Sequence, residues 1–360
     1  MRIILATPQD KTVLGVIGSY CKAALQAQGN EVSVFDFRKE FYAKSTLMQR
    51  LKSAVRSALP FLPSLRELPA VKLVIDDKVN RMLLDRSVKF KPDILLVLCG
   101  ENISLDTLIK IKNVSGTFTV NWFYDTLISP HRESLVRSVL PCYDYLFIVD
   151  SLGVLKRIKA DFNKVATLPL ACEPLVHKRV VLSDKEARIY GSDVAFVGTV
   201  TPEREKILEE LSGFNLKIWG RWSRKSACLN SCYQKKDVYA EEAVKIYNSS
   251  KIILDVHSLF GREKEIYNVT PRLFEVPASG AFLLTNYVSQ VSDFYKIGEE
   301  IITYGDVNEL KNQVSYYLKH PDERINIAER GYQRAHKEHT YANRVTKLLE
   351  TVKNMYTSIN

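Results

Sequence analysis

The 360-residue sequence has no run of apolar residues as long as the roughly 18–20 that a membrane-spanning helix needs. Its first ten residues, MRIILATPQD, turn polar by Gln9 and lack the long hydrophobic core of a secretory signal. This opening is typical of a first β-strand. We therefore expect a cytoplasmic protein.

Motifs for metals and common cofactors are also missing. Of the six cysteines, Cys228 and Cys232 lie four apart with no partner pair of His or Cys nearby, so a zinc site is not expected. The chain has no DxD sequence and no His/Asp cluster with metal-ligand spacing, and it lacks the GxGxxG fingerprint of NAD-binding proteins. We expect neither a metal nor another cofactor.

Basic residues outnumber acidic ones, 51 to 41, and the excess is uneven. Residues 41–92 hold eleven Lys or Arg and four Asp or Glu. Within them, residues 47–59 predict an amphipathic helix with Arg50, Lys52 and Arg56 on its polar side. This helix either docks on its own domain, or receives an anionic, lipid-linked acceptor at the inner membrane face. No RRM, KH or zinc-finger signature accompanies the charge, so a nucleic-acid partner is not expected.

Apolar strands alternate with helical segments through both halves of the chain, a pattern typical of parallel sheets covered on both faces. The polar stretch from Ser183 to Ser192 separates the halves. We predict an α/β fold of two Rossmann-like, doubly wound domains facing across a cleft. Their bounds are 1–182 and 183–338, and a C-terminal helix in 339–360 packs back towards the N-terminal domain.

The most informative segment is residues 268–286, NVTPRLFEVPASGAFLLTN. Arg272 and Glu275 lie three residues apart at the start of a predicted helix and therefore share a face. An arginine can take a phosphate, and a carboxylate can accept from the two hydroxyls of a ribose, as a bound nucleotide diphosphate requires. An ordinary solvated Arg–Glu pair has the same spacing.

A second candidate is Ala195–Arg204, which predicts a strand, Gly198, a turn and a helix. Gly198 lets the backbone approach a phosphate, and Arg204 lies in the first helical turn. A plain strand-to-helix connection has the same pattern. Gly15 and Gly18, in a polar turn predicted after the first strand, are candidates for the opposite wall of the cleft.

Asp125 follows a predicted strand, at the edge where parallel sheets bind ligands. We therefore take it as the candidate catalytic carboxylate, although an aspartate that caps a helix or turn fits the same position. His131 is a lesser candidate. His257 ends the strand 251–256 and points to the same kind of edge, and a structural histidine is equally consistent with that position.

Five segments of the second half occur in the same order in a known family. They are FVGT with Arg204, IWG at 218–220, IYNSSKIILDVH at 246–257, Asn268 through RLFE to Gly280, and HTY at 339–341 with Arg344. On these residues the chain resembles the GT-B glycosyltransferases of the CgeB-like, spore-maturation group. The likeness covers residues 90–350 and is specific from 193 onwards.

The resemblance implies a GT-B fold with a nucleotide-diphosphate sugar in the C-terminal half and the acceptor in the N-terminal half. It implies that Glu275 holds the donor ribose and that the diphosphate contacts Gly198, Thr199, Arg204 and Arg272. The matched segments add four donor-binding candidates: Trp219, Gly220, His257 and Asn268. It also implies transfer without a metal, because helix dipoles and basic side chains neutralise the leaving phosphate.

One position departs from the family pattern. Related retaining enzymes carry two glutamates eight positions apart, and here Tyr267 stands where the first would precede Glu275. The stereochemistry therefore stays open, and an inverting mechanism with Asp125 as base is consistent with the sequence. The predicted function is sugar transfer to a surface-glycan, lipid-linked or related acceptor in polysaccharide biosynthesis. The alternative is a catalytically silent GT-B-like protein that binds a glycan or nucleotide.

Overall fold

The computed structural model describes residues 1–9, 13–37, 69–100, 102–125, 142–149, 154, 156, 164–222, 226–257 and 269–357. It divides into two compact units. The N-terminal unit comprises Met1–Ile148, Val154–Leu168 and Leu348–Asn360, and the C-terminal unit comprises Val149–Gly153 and Pro169–Lys347. The main division thus falls at Leu168, earlier in the chain than the predicted boundary at 182.

The N-terminal unit contains a parallel sheet of six strands in the order β2-β1-β3-β4-β5-β6. Every residue of β3 and β4 is buried, as expected for strands covered on both faces. The strands are β1 (Arg2–Ala6), β2 (Glu31–Phe35), β3 (Ile94–Leu98), β4 (Phe118–Phe123), β5 (Tyr145–Ile148) and β6 (Val165–Thr167). Its helices include α1 (Val13–Ala27), α2 (Pro69–Phe90) and α3 (Leu105–Ser115).

The prediction that Gly15 and Gly18 lie in a polar turn is wrong, because α1 already begins at Val13 and contains both. A Cβ atom built on Gly18 would lie 2.4 Å from the Thr7 Oγ1 atom. The missing side chain therefore lets α1 approach the segment that follows β1. That close packing explains why a helix tolerates a residue of low helix propensity.

The C-terminal unit contains a parallel sheet of five strands in the order β11-β10-β9-β7-β8. The strands are β7 (Val194–Val197), β8 (Leu216–Trp219), β9 (Ile252–Asp255), β10 (Leu283–Asn286) and β11 (Ile302–Tyr304). The helices of this unit include α4 (Asp184–Tyr190), α5 (Pro202–Glu209), α6 (Glu241–Ser249), α7 (Arg272–Ala278), α8 (Val307–Lys319) and α9 (Pro321–Glu338). Helix α10 (Tyr341–Thr357) begins in this unit, and its residues from Leu348 onward belong to the N-terminal unit. Apolar clusters cover both faces of this sheet, one including α6 and α7 and the other α8.

Helix α4 occupies most of the polar stretch from Ser183 to Ser192, for which the sequence analysis predicted no helix. A capping box starts the helix: the Ser183 hydroxyl accepts from the Glu186 N–H, and the Glu186 carboxylate accepts from the Ser183 N–H. No residue of α4 is fully buried, which is why the apolar pattern gives no signal for it.

The carboxyl ends of β7, β8 and β9 position the residues described below. Strand β7 pairs with both β8 and β9, and it leads directly into Gly198. Helix α7 packs against the same face of the sheet as α6. Among the described residues, no helix is long and apolar enough to cross a membrane.

Candidate functional site

A buried acid, Asp255, ends strand β9 and accepts hydrogen bonds from several directions. Its Oδ1 atom accepts from Arg272 Nε at 2.7 Å and from the Val256 N–H at 2.9 Å, and its Oδ2 atom accepts from the Thr270 hydroxyl. Burial alone raises the pKa of Asp255, but Arg272 and these hydrogen bonds outweigh it and hold the pKa below its ordinary value. The carboxylate is therefore ionised at neutral pH.

Arg272, the first residue of α7, has its guanidinium fixed by this carboxylate. Burial lowers its pKa, but the attraction to Asp255 more than compensates, so the group stays charged. Its side chain is 14% exposed. Within the part of the chain that the structure describes, Nη1 and Nη2 make no hydrogen bond, which leaves a planar pair of charged donors for a ligand.

Two glycines lie beside those donors. Gly198 has a φ of +152°, and a Cβ atom on it would lie 2.9 Å from Arg272 Nη1. Gly220, with a φ of +119°, follows β8, and its Cβ atom would lie 2.3 Å from the Gly198 carbonyl oxygen. Neither position accepts a side chain without rearrangement. The Arg272 guanidinium therefore lies against bare backbone, as a site for a bulky anion requires.

Glu275 lies one helical turn after Arg272, with its side chain 23% exposed. The Tyr247 hydroxyl, which is buried on α6, donates a hydrogen bond to its carboxylate. Burial raises the pKa of Glu275 to about 7, although Arg272 opposes the shift. This carboxylate is thus partly protonated near neutral pH and has an exposed part that a ligand can reach.

His177 also lies near Glu275, with Nε2 3.8 Å from the Glu275 Oε1 atom. Its Nδ1 atom accepts from the Glu173 N–H at 2.9 Å, so the ring proton is on Nε2 and faces the carboxylate. Burial lowers the pKa of His177 to about 3, and the ring is neutral. The sequence analysis missed both residues: His177 stands outside the matched segments, and Tyr247 stands within one but was not given a role.

His257 follows Asp255 by two residues and is also buried. Its Nδ1 atom accepts from the Thr270 N–H at 3.2 Å, and burial lowers its pKa to about 4, so the proton is on Nε2. The Nε2 atom is buried and has no hydrogen-bond partner among the described residues. The Asn286 side chain bonds both the N–H and the carbonyl of His257 and fixes its backbone.

Arg204 takes a different position from Arg272. It is 8% exposed, and its Nε and Nη2 atoms donate to the Val256 carbonyl while Nη1 donates to the Thr199 carbonyl at 2.9 Å. Burial lowers its pKa to about 10. These bonds tie α5 to the segments after β7 and β9. Trp219 is buried at the end of β8, packs on the Tyr190 ring, and has an indole N–H without a described partner.

The structure therefore brings together Gly198, Thr199, Arg204, Gly220, His257, Arg272 and Glu275 at one edge of the C-terminal sheet. Asp125 lies in the N-terminal unit, two residues beyond β4. Asn268, His131, Tyr267 and the basic residues 47–59 lie outside the described residues. Within the described ranges, no three His, Cys, Asp or Glu side chains cluster as a metal site would.

Asp255 is the central acid of this arrangement, and the sequence analysis missed it. A signal was available, since Asp255 ends an apolar strand in a parallel sheet. The same reasoning selected Asp125 in the first half and His257 two residues on.

Comparison with known proteins agrees with the sequence segments noted above. Residues 204–350 match a family model described as glycosyl transferase-like. The spore protein CgeB of Bacillus subtilis strain 168 is 22% identical over 275 residues, which cover 72% of this chain and 83% of CgeB. The resemblance to CgeB-like proteins is confirmed.

Solved structures match nearly the whole chain. HepE of Anabaena, in complex with UDP and glucose, has a TM-score of 0.64 at 10% identity and covers 98% of this chain and 100% of its own. A complex of HepE with UDP-glucose has a TM-score of 0.62. Sucrose-phosphate synthase of Thermosynechococcus elongatus has a TM-score of 0.66 at 10% identity and covers 99% of this chain and 100% of its own. The predicted α/β class, GT-B with two Rossmann-like domains, is confirmed.

Proposed function

We propose that this chain transfers a sugar from a nucleotide-diphosphate sugar to a surface-glycan, lipid-linked or related acceptor in polysaccharide biosynthesis. One observation carries the proposal. Arg272 presents two terminal nitrogens beside Gly198, and Glu275 presents a carboxylate one turn further along the same helix. A planar guanidinium suits a diphosphate, and a carboxylate accepts from both ribose hydroxyls.

Uridine is the first base to test, because HepE, similar over the whole chain, has been solved with UDP and UDP-glucose. Calorimetric titrations with UDP, GDP, ADP and UMP come first, followed by nucleotide release from a panel of nucleotide sugars. We expect one diphosphate to bind more tightly than its monophosphate, because Arg272 contacts the diphosphate. Absence of binding by every nucleotide diphosphate contradicts the proposal.

In this proposal the acceptor binds in the N-terminal unit, and Asp125 removes the proton from its hydroxyl. Asp125 follows β4 of a parallel sheet, at the edge where such sheets hold ligands. Direct attack by the activated hydroxyl inverts the anomeric configuration. Tyr267, in place of the first glutamate of retaining relatives, is consistent with that route.

Transfer is expected to proceed without a metal ion. The fixed Arg272 guanidinium supplies positive charge where the diphosphate leaves, so the site has its own means of stabilising the leaving group. Turnover should therefore be the same, within error, before and after EDTA treatment. Loss of activity with EDTA and recovery with magnesium or manganese contradicts this expectation.

The basic segment 41–92 is proposed to receive the anionic acceptor at the cytoplasmic membrane face. Residues 47–59 combine an apolar side with Arg50, Lys52 and Arg56. Changing these three residues to Glu should weaken binding to anionic liposomes at low salt while UDP affinity is unchanged, since screened electrostatic attraction drives such binding. The matched control reverses three exposed lysines of the C-terminal unit: Lys206, Lys319 and Lys337. Equal liposome binding by both triple variants contradicts this placement.

A second candidate function is nucleotide or glycan binding without catalysis. It is favoured by Tyr267, which replaces a glutamate present in retaining relatives. A silent protein binds UDP through Arg272 and Glu275 but releases no UDP from any donor and acceptor pair. Sugar transfer to any acceptor excludes this candidate.

A further inference from the structure

We infer that Asp255 is a positioning residue that directs two hydrogen-bond donors, the Arg272 guanidinium and the His257 Nε2–H, at the diphosphate of the donor. This inference rests on the proposed function. Asp255 is fully buried, so its role is to act through its neighbours. Its Oδ1 atom contacts Arg272 directly. Its Oδ2 atom contacts Thr270, which in turn donates to the His257 ring.

The first donor is fixed through Oδ1. Arg272 Nε donates to this oxygen at 2.7 Å, while the Val256 N–H donates to it at 2.9 Å and holds the carboxylate in place. Because the guanidinium is planar, fixing Nε also fixes the directions of Nη1 and Nη2. Nη1 then lies against Gly198, where no side chain intervenes.

The second donor is fixed through Oδ2. This oxygen accepts from the Thr270 hydroxyl, and the Thr270 N–H donates to His257 Nδ1, which leaves the ring proton on Nε2. His257 Nδ1 also lies 3.6 Å from the Asp255 Oδ2 atom, so the carboxylate is close to the ring itself as well as to Thr270. A buried donor without an acceptor is costly, and a bound anion supplies the acceptor that Nε2–H lacks among the described residues.

Charge and geometry act in opposite directions at Asp255, which makes the role testable. Its negative charge repels a diphosphate, whereas its hydrogen bonds orient the donors for one. An asparagine keeps an Oδ1 acceptor for Arg272 and Val256 and removes the charge. An alanine removes both. Positioning therefore predicts that the two substitutions differ in their effect on UDP affinity.

The test is a calorimetric titration of UDP. Asp255→Ala should lower UDP affinity by about 10-fold or more, and Asp255→Asn should restore it to within about threefold of the unsubstituted protein. Thr270→Val, which removes the hydroxyl donor and keeps the volume, should lower affinity several-fold and serves if Asp255→Ala does not fold. The control is Asp193→Ala, which breaks the 2.7 Å pair with Lys251 at the opposite end of the same sheet and should leave affinity unchanged. Equal losses in Asp255→Ala and Asp255→Asn, or an unchanged affinity in Thr270→Val, overturn the inference.

A double-mutant cycle separates positioning from general destabilisation. Arg272→Met should lower UDP affinity, and adding Asp255→Ala to it should cost little more, because the main donor that Asp255 positions is already absent. A further loss equal to that of Asp255→Ala alone overturns the positioning role. If Arg272→Met itself leaves UDP affinity unchanged, the proposed function fails and the inference fails with it.

Discussion

Replacing Asp125 by asparagine is expected to lower the rate of glycosyl transfer by about 10²–10⁴-fold, the usual contribution of a positioned general base. Asparagine keeps the shape of the side chain and removes its basicity. UDP affinity should not change, because the proposed donor site lies in the C-terminal unit and Asp125 belongs to the N-terminal unit. Initial rates and UDP titrations on the same protein preparation check both parts.

Asp144→Asn is the matched control. Asp144 lies at the amino end of β5 in the same sheet and accepts from the Thr119 N–H and hydroxyl at 2.8 and 2.9 Å and from Lys112. Its loss should reduce stability and leave turnover per folded molecule intact.

If Asp125 only caps a turn, Asp125→Asn should also cost about 1 kcal/mol of stability or less and keep most activity. That result removes Asp125 from the mechanism, and retention of anomeric configuration by NMR argues against any base.

Glu275→Ala should weaken binding of the nucleotide diphosphate by about 1.5–3 kcal/mol, which corresponds to roughly 10- to 150-fold in affinity. The carboxylate is expected to accept from the ribose hydroxyls, so the loss should be the same for UDP and UMP. The control is Glu329→Ala, which removes a carboxylate of α9 that pairs with Arg179, and it should have no effect. Equal affinity in Glu275→Ala and the unsubstituted protein rules out the ribose role.

The pH dependence tests the same carboxylate. Because burial raises the pKa of Glu275 to about 7, its acceptor form is depleted below that pH, and UDP affinity should rise between pH 6 and pH 8. His177 and His257 stay neutral over this range, since burial lowers their pKa values to about 3 and about 4. Glu275→Gln cannot ionise, so it isolates the titration of the UDP phosphate. Identical pH profiles for the two proteins contradict this assignment.

The stability of the folded protein should change with pH in the opposite direction to UDP affinity. A carboxyl group whose pKa is raised in the folded state stabilises that state at low pH, and this contribution is lost as pH rises through about 7. Without nucleotide, Glu275→Gln should therefore gain melting temperature relative to the unsubstituted protein as pH increases from 5 to 8.

The sequence was sufficient to predict the strands and helices that a pattern of apolar residues defines. The opening residues form the first strand, β1, as predicted, and the buried runs of β3 and β4 correctly indicate a sheet covered on both faces. Helix α4 was missed because it buries no residue fully, and its capping box was the only local signal. Gly15 and Gly18 were misplaced because a turn and a tightly packed helix both favour glycine.

The candidate site was predictable in its motif residues and not in their partners. Arg272 and Glu275 follow from spacing on one helix, and Gly198 follows from its place after a strand. Their functional state depends on contacts distant in sequence: Asp255 fixes Arg272, and Tyr247 with His177 surrounds Glu275. No sequence spacing specifies such contacts, because tertiary packing creates them.

The most direct test of the donor site is a crystal structure of the protein with UDP. The proposal predicts the diphosphate within hydrogen-bond distance of Arg272 Nη1 and Nη2, beside Gly198, and the ribose hydroxyls within hydrogen-bond distance of the Glu275 carboxylate. UDP bound in the C-terminal unit without contact to Arg272 and Glu275, or bound elsewhere, contradicts the account.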